Sequence, residues 1–125
     1  MHDYGEMVEI TWAEYSQTMT DADVAMINRV REILEPLADV SESVTRTQIA
    51  WKRARTFISG YIKSHYFEIA IDLVRTADHP RLKAAFPTSK RVITHRFTIH
   101  TLDELDESIA SLIHEAWKTV GPGFR

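Results

Sequence analysis

Between Phe67 and Leu73 the chain alternates without a break. Phe67, Ile69, Ile71 and Leu73 are apolar, with Glu68, Ala70 and Asp72 between them. Successive side chains of a strand point to opposite faces, so this spacing predicts a half-buried strand. The alternation returns at Ile93, His95, Phe97 and Ile99 against Thr94, Arg96, Thr98 and His100. Upstream, Ser43 to Phe67 reads as a two-stranded hairpin, SVTRTQIAW and TFISGYIK joined by a basic tip, KRAR. A two-residue loop would set Trp51 opposite Thr56 and a three-residue loop opposite Phe57. The second matches aromatic with aromatic on one face and is the expected register. Gly60 inside its strand points to a bulge or to close approach by another backbone.

The rest of the pattern is helical. Thr11-x-x-Glu14 and Thr20-x-x-Asp23 have the form of capping boxes. The first opens a short helix over Trp12 to Gln17. The second opens a longer one with Val24, Ile27, Val30 or Arg31, Leu34 and Leu37 on one stripe. Pro36 lacks a backbone N–H and ends regular helix near Glu35. Polar residues from Asp39 to Glu42 form a connection. Asp78-His79-Pro80 reads as the start of a short helix, with Pro87 beyond its end. Thr101-x-x-Glu104 caps the last helix, whose stripe runs Leu102, Leu105, Ile109, Leu112, Ala116 and Val120 until Gly121 and Pro122 stop it.

These elements predict an α+β fold: a four-stranded antiparallel sheet with an N-terminal and a C-terminal helix packed on one face. Residues 1–9 read as an acidic tail and 10–121 as a single domain. A chain of 125 residues can bury one sizeable core.

Charge sharpens the picture. The net charge of −3 conceals a split: residues 46–96 carry eleven Lys and Arg against three acids, a local +8, and the remainder is −11. A basic sheet with acidic flanking helices is therefore expected. No apolar run is long enough to cross a bilayer, and MHDYGEMVEI has no apolar signal region, so the expected location is cytoplasmic. There are no cysteines. That excludes disulfides, zinc–thiolate sites and thiol nucleophiles.

The chain has no HExxH, GxSxG or GxxxxGK[ST], and neither cofactor nor metal is expected. Ser64 and His65 are adjacent in a turn, which is not a nucleophile–base geometry. His95 sits in an otherwise apolar row. Its two readings are a core histidine satisfied by a structural partner and a pocket acid/base group.

The basic residues offer the main candidate site. Arg46, Gln48 and Lys52 share a strand face, Arg53 and Arg55 mark the hairpin tip, and Arg96 stands on the last strand. Arg81, Lys83, Lys90 and Arg91 come from the connection before it. If these converge they could hold phosphates, with Trp51, Tyr61 or Tyr66 for stacking. The alternative is that Arg46 and Arg96 pair with Glu68 and Asp72 across strands while the tip is solvated. The leading expectation is a non-enzymatic binding module for an anionic ligand or single-stranded nucleic acid through a basic sheet face. Its rivals are a homodimeric or other homo-oligomeric interaction domain and a small enzyme with a His95-lined pocket.

At SVTRTQIAWKRARTF the chain resembles domain of unknown function family 5655, a group of small bacterial and archaeal domains. The likeness continues through ITWAEY, the aliphatic third strand, THRFTI and LDELDESIASLIHEAW, over about residues 10–120. The resemblance implies helix, four-stranded antiparallel sheet, helix. It implies no established activity and supplies no catalytic residues.

Overall fold

Two threonines start the first two helices, as their spacing predicts. A computed structural model describes residues 8–124; most of the expected acidic tail lies outside them. Thr11 and Glu14 close a capping box on α1 (Trp12–Tyr15), and Thr20 and Asp23 close another on α2 (Asp21–Leu34). Helix α2 ends at Leu34, two residues before Pro36.

The sheet has six strands rather than four: β1 (Ser41–Val44), β2 (Ile49–Lys52), β3 (Thr56–Lys63), β4 (Tyr66–Leu73), β5 (Leu82–Pro87) and β6 (Ile93–Ile99). Their order is β1-β2-β3-β4-β6-β5, with every neighbouring pair antiparallel. One added strand comes from the hairpin. The run SVTRTQIAW is two strands, because Thr45 to Gln48 offers the buried face nothing apolar and reverses direction instead. The Thr45 N–H donates to the Gln48 carbonyl at 2.9 Å, and Val44 pairs with Ile49. Arg46 and Gln48 therefore sit in a turn, not on a strand face with Lys52.

The other added strand is β5, where a short helix was expected. Without β5, one edge of β6 would leave a row of backbone groups unpaired. Helix propensity is worth at most a few tenths of a kcal/mol per residue for Leu, Lys and Ala, so edge pairing prevails.

The register of β2 on β3 matches neither loop considered. Trp51 lies opposite Ile58 and Lys52 opposite Thr56, leaving Phe57 as the extra residue of a bulge. A bulge re-aims side chains, and here Phe57 and Ile58 are both buried, at 0% and 1% exposed. Trp51 is also buried. Its Nε1–H donates to Glu42 Oε1 at 2.9 Å, and Arg31 of α2 binds both oxygens of Glu42 at 2.8 Å. This clamps the β1 edge to the helix layer. At Gly60 the expected close approach is present: a Cβ there would lie 2.5 Å from Phe67 Cε1 and 2.8 Å from the Glu68 carbonyl oxygen.

Phe67, Ile69, Ile71 and Leu73 face the core beneath α2 and α3 (Glu107–Thr119), as their alternation predicts. The intervening Glu68, Ala70 and Asp72 are half-buried on the other face with Ser59, Tyr61, Arg96 and Thr98. The Thr101–Glu104 box begins only a 3₁₀ turn (Leu102–Glu104), so Leu102 drops out of the stripe and is exposed. The cap of α3 is Asp106, whose carboxylate accepts from the N–H groups of Ser108 and Ile109 at 3.0 and 3.2 Å. At the far end of α3, Trp117 donates its indole N–H to the Ala38 carbonyl at 2.8 Å.

Candidate ligand cavity

Four chain segments meet at one end of the sheet: α1 with the loop after it, the first turn of α2, the β1–β2 turn and the β3–β4 turn. They border an open cavity of about 660 Å³ with Glu14, Asp23, Arg46 and His65 in its lining. Ile10, Met19 and Ile62 add apolar wall, and Tyr15 and Tyr61 add rings.

Asp23 is the third residue of the α2 capping box, and its position there is dictated locally. Its N–H donates to Thr20 Oγ1 at 3.1 Å, and its Oδ2 accepts from the Thr20 N–H at 3.0 Å. The residue is 1% exposed. Burial pushes its carboxyl up. The Thr20 N–H, the His65 ring, the Thr20 hydroxyl and the charge of protonated His65 outweigh that and hold it below the usual carboxylate value. Its Oδ1 is buried with no hydrogen-bond partner among the described residues.

His65 comes from the other side. Lys63 pairs with Tyr66, so Ser64 and His65 alone make the β3–β4 turn. Both are left-handed, at φ 52° and 66°, where glycine or asparagine is usual. Each costs roughly 1–2 kcal/mol of backbone strain, which the surrounding contacts must hold. One such contact is His65 Nδ1 to Asp23 Oδ2 at 3.1 Å. An ionised carboxylate can only accept, so Nδ1 carries the proton and donates. Nε2 has no partner among the described residues. Tyr15, in the same lining, has its phenol pushed up to about 12 by burial.

Arg46 stands exposed in the β1–β2 turn, with no carboxylate within salt-bridge distance among the described residues. Of the six basic-face candidates it alone lines this cavity. Gln48 is exposed at the end of the same turn, and Lys52 is exposed on β2. Arg53 lies 4.3 Å from the centre of the Trp117 ring and donates to the Trp117 carbonyl at 3.4 Å. Arg55 lies 5.8 Å from the Phe124 ring. The hairpin tip is therefore docked on the C-terminal end of α3; the Ala54 and Arg55 N–H groups both donate to the Gly121 carbonyl. Arg96 donates to the Tyr61 hydroxyl at 2.8 Å.

The cross-strand pairs considered for Arg46 and Arg96 do not form. Glu68 accepts from Thr98 at 2.6 Å and is 3.5 Å from Lys83 Nζ. Asp72 accepts from Thr94 at 2.7 Å, and burial pushes its carboxyl up. Of the three aromatics considered for stacking, Tyr66 is exposed and rests 4.5 Å from the His100 ring. His95 is fully buried. Its Nε2 accepts from the Ala77 N–H at 2.9 Å, and Nδ1 lies 3.0 Å from the Ile93 carbonyl oxygen, so the backbone occupies both ring nitrogens.

The sequence did mark Asp23, as a helix cap, and did place His65 in a turn. Their meeting was illegible because it depends on the packing of α2 against the sheet end.

Helices on one face of an antiparallel sheet, with a charged cavity at the sheet end, define a small α+β domain. Residues 15–120 match the family described as Domain of unknown function (DUF5655), and the chain belongs to that family. No curated protein and no solved structure matches the chain. Among the described residues, no helix is long and apolar enough to cross a membrane.

Proposed function

We propose that the domain is a binding module for a small ligand with an anionic group, held in the sheet-end cavity with Arg46 as its anchor. The observation that carries this reading is a cation without a carboxylate partner among the described residues, on a cavity of about 660 Å³. That volume is in the range of pockets that hold small organic molecules. A guanidinium supplies forked donors suited to carboxylate or phosphate oxygens. His65, whose Nδ1 is held by Asp23, lines the same cavity.

A second reading keeps the open sheet face as a site for single-stranded nucleic acid. It is favoured by exposed Tyr66 and Lys52 and by Arg96, half-buried at the centre of a face without a helix over it. Glu68 and Asp72 on that face weigh against it. Isothermal titration with 3-phenylpropionate, phenyl phosphate and a ten-residue oligothymidylate separates the two. The cavity reading expects the small anions to bind and Arg46→Ala to weaken them about tenfold or more, with Arg96→Ala near wild type. Failure of both small anions to bind would sink it. Oligonucleotide binding that is steeply salt-dependent and lost in Arg96→Ala would move the function to the open face. Self-association, the remaining alternative, needs no added ligand and is read by light scattering at low and high salt.

A further inference from the structure

We propose that the ligand is a zwitterion with an apolar body, of the amino-acid or short-peptide class. Its carboxylate lies on Arg46 and its ammonium on the Glu14 and Asp23 side of the cavity. The inference rests on the cavity reading above and narrows it.

The lining carries charge of both signs. Arg46 brings a positive group from the β1–β2 turn, and Glu14 and Asp23 bring carboxylates from α1 and α2. A plain anion drawn to Arg46 would use one sign of that lining and leave two carboxylates of its own sign unmatched. A ligand bearing an ammonium as well meets both signs. Two carboxylate oxygens of the lining residues lack a partner among the described residues. Glu14 spends Oε1 on the Thr11 N–H and hydroxyl, at 3.4 and 3.0 Å, and Oε2 has no partner among the described residues. Asp23 Oδ1 is buried and lacks any donor among them. A buried acceptor of this kind is rare in native proteins, and an N–H arriving with a ligand would satisfy it.

The walls fit the remainder of such a molecule. Ile10, Met19 and Ile62 are aliphatic, and Tyr15 and Tyr61 present rings, so the body between the two charges has apolar side chains to meet among the polar ones of Gln17, Thr18, Thr47 and Ser64. His65, also in the lining, has its Nδ1 already committed to Asp23. Both signs thus come from side chains on separate elements, Arg46 from the β1–β2 turn and the carboxylates from α1 and α2.

The test compares four probes by isothermal titration at pH 7: L-phenylalanine, glycyl-L-phenylalanine, 3-phenylpropionate and phenethylamine. The two zwitterions differ in the distance between their charges; the last two each lack one charge. At least one zwitterion is expected to bind about tenfold tighter than either singly charged probe. Glu14→Gln is expected to weaken that zwitterion about tenfold while leaving 3-phenylpropionate unchanged or tighter. Arg46→Ala is expected to weaken both. Glu14 and Arg46 are exposed, so both variants are expected to fold, with a thermal melt of each as the check. If 3-phenylpropionate binds as tightly as the zwitterions and still depends on Arg46, the zwitterion is overturned and the anion site stands. If phenethylamine binds tightest, or nothing binds, both fall.

Discussion

His65 Nδ1 meets Asp23 Oδ2 at 3.1 Å across 42 positions of the chain. The contact joins a strained turn at the sheet end to the first turn of α2. It runs from a side chain 67% exposed to one 2% exposed. A buried carboxylate thereby fixes the orientation of an imidazole on the cavity wall.

Acid stability follows from the Asp23 carboxyl. Its folded value is held below the ordinary 3.8, so its contribution is fully present above that value and is lost as pH falls through the folded one. Asp23→Ala is expected to cost about 1–2 kcal/mol at pH 7, through the lost cap and the lost His65 bond. The melting temperature of the variant should fall less steeply than that of wild type over roughly pH 5 to 2. Equal slopes in the two proteins would contradict the assignment.

Gly60→Ala places a methyl against the Phe67 ring and the Glu68 carbonyl. Carbonyl and ring are both held by the sheet, so the expected loss is about 1–3 kcal/mol in a urea melt. Ser59→Ala, next door on the open face, serves as the control and should stay within about 0.5 kcal/mol.

Trp117 is half-buried, stacked by Arg53 and tied to Ala38. Trp117→Ala is therefore expected to cost about 2 kcal/mol, below the roughly 3–5 kcal/mol of a fully buried ring. A denaturant titration that gave a change under about 0.5 kcal/mol would show that the ring does not anchor the hairpin tip to α3.

His95→Leu leaves the Ala77 N–H and the Ile93 carbonyl without their buried partner. The expected cost is about 2–3 kcal/mol. Nitrogen-15 spectra of the native protein should find the proton on Nδ1 and a bare Nε2; the opposite tautomer would mean that the ring bonds other groups.

Much of the fold was legible residue by residue. The Phe67–Leu73 alternation placed β4, the Ile93–Ile99 alternation placed β6, and two threonines placed the starts of α1 and α2. Each rests on interactions within a few positions, where spacing alone dictates which side chains share a face. β1 was hidden because Thr45 and Thr47 are as acceptable in a strand as in the turn they form. β5 was hidden because its Lys-Ala-Ala has a helix former's composition.

The candidate site divides in the same way. Arg46 was named from its charge and Asp23 from its cap, each by its own neighbours in sequence. That Arg46 borders a cavity while Arg53 lies on Trp117 and Arg96 on Tyr61 could not follow from their shared charge. Sequence by itself determined where the first two helices start and which of the clearest strands alternate, because those depend on short-range periodicity. Tertiary structure decided the strand count, the β2–β3 register, the dispersal of the basic residues and the meeting of Asp23 with His65. Backbone groups at a sheet edge must find partners, and side chains far apart in the chain meet only when the helices pack.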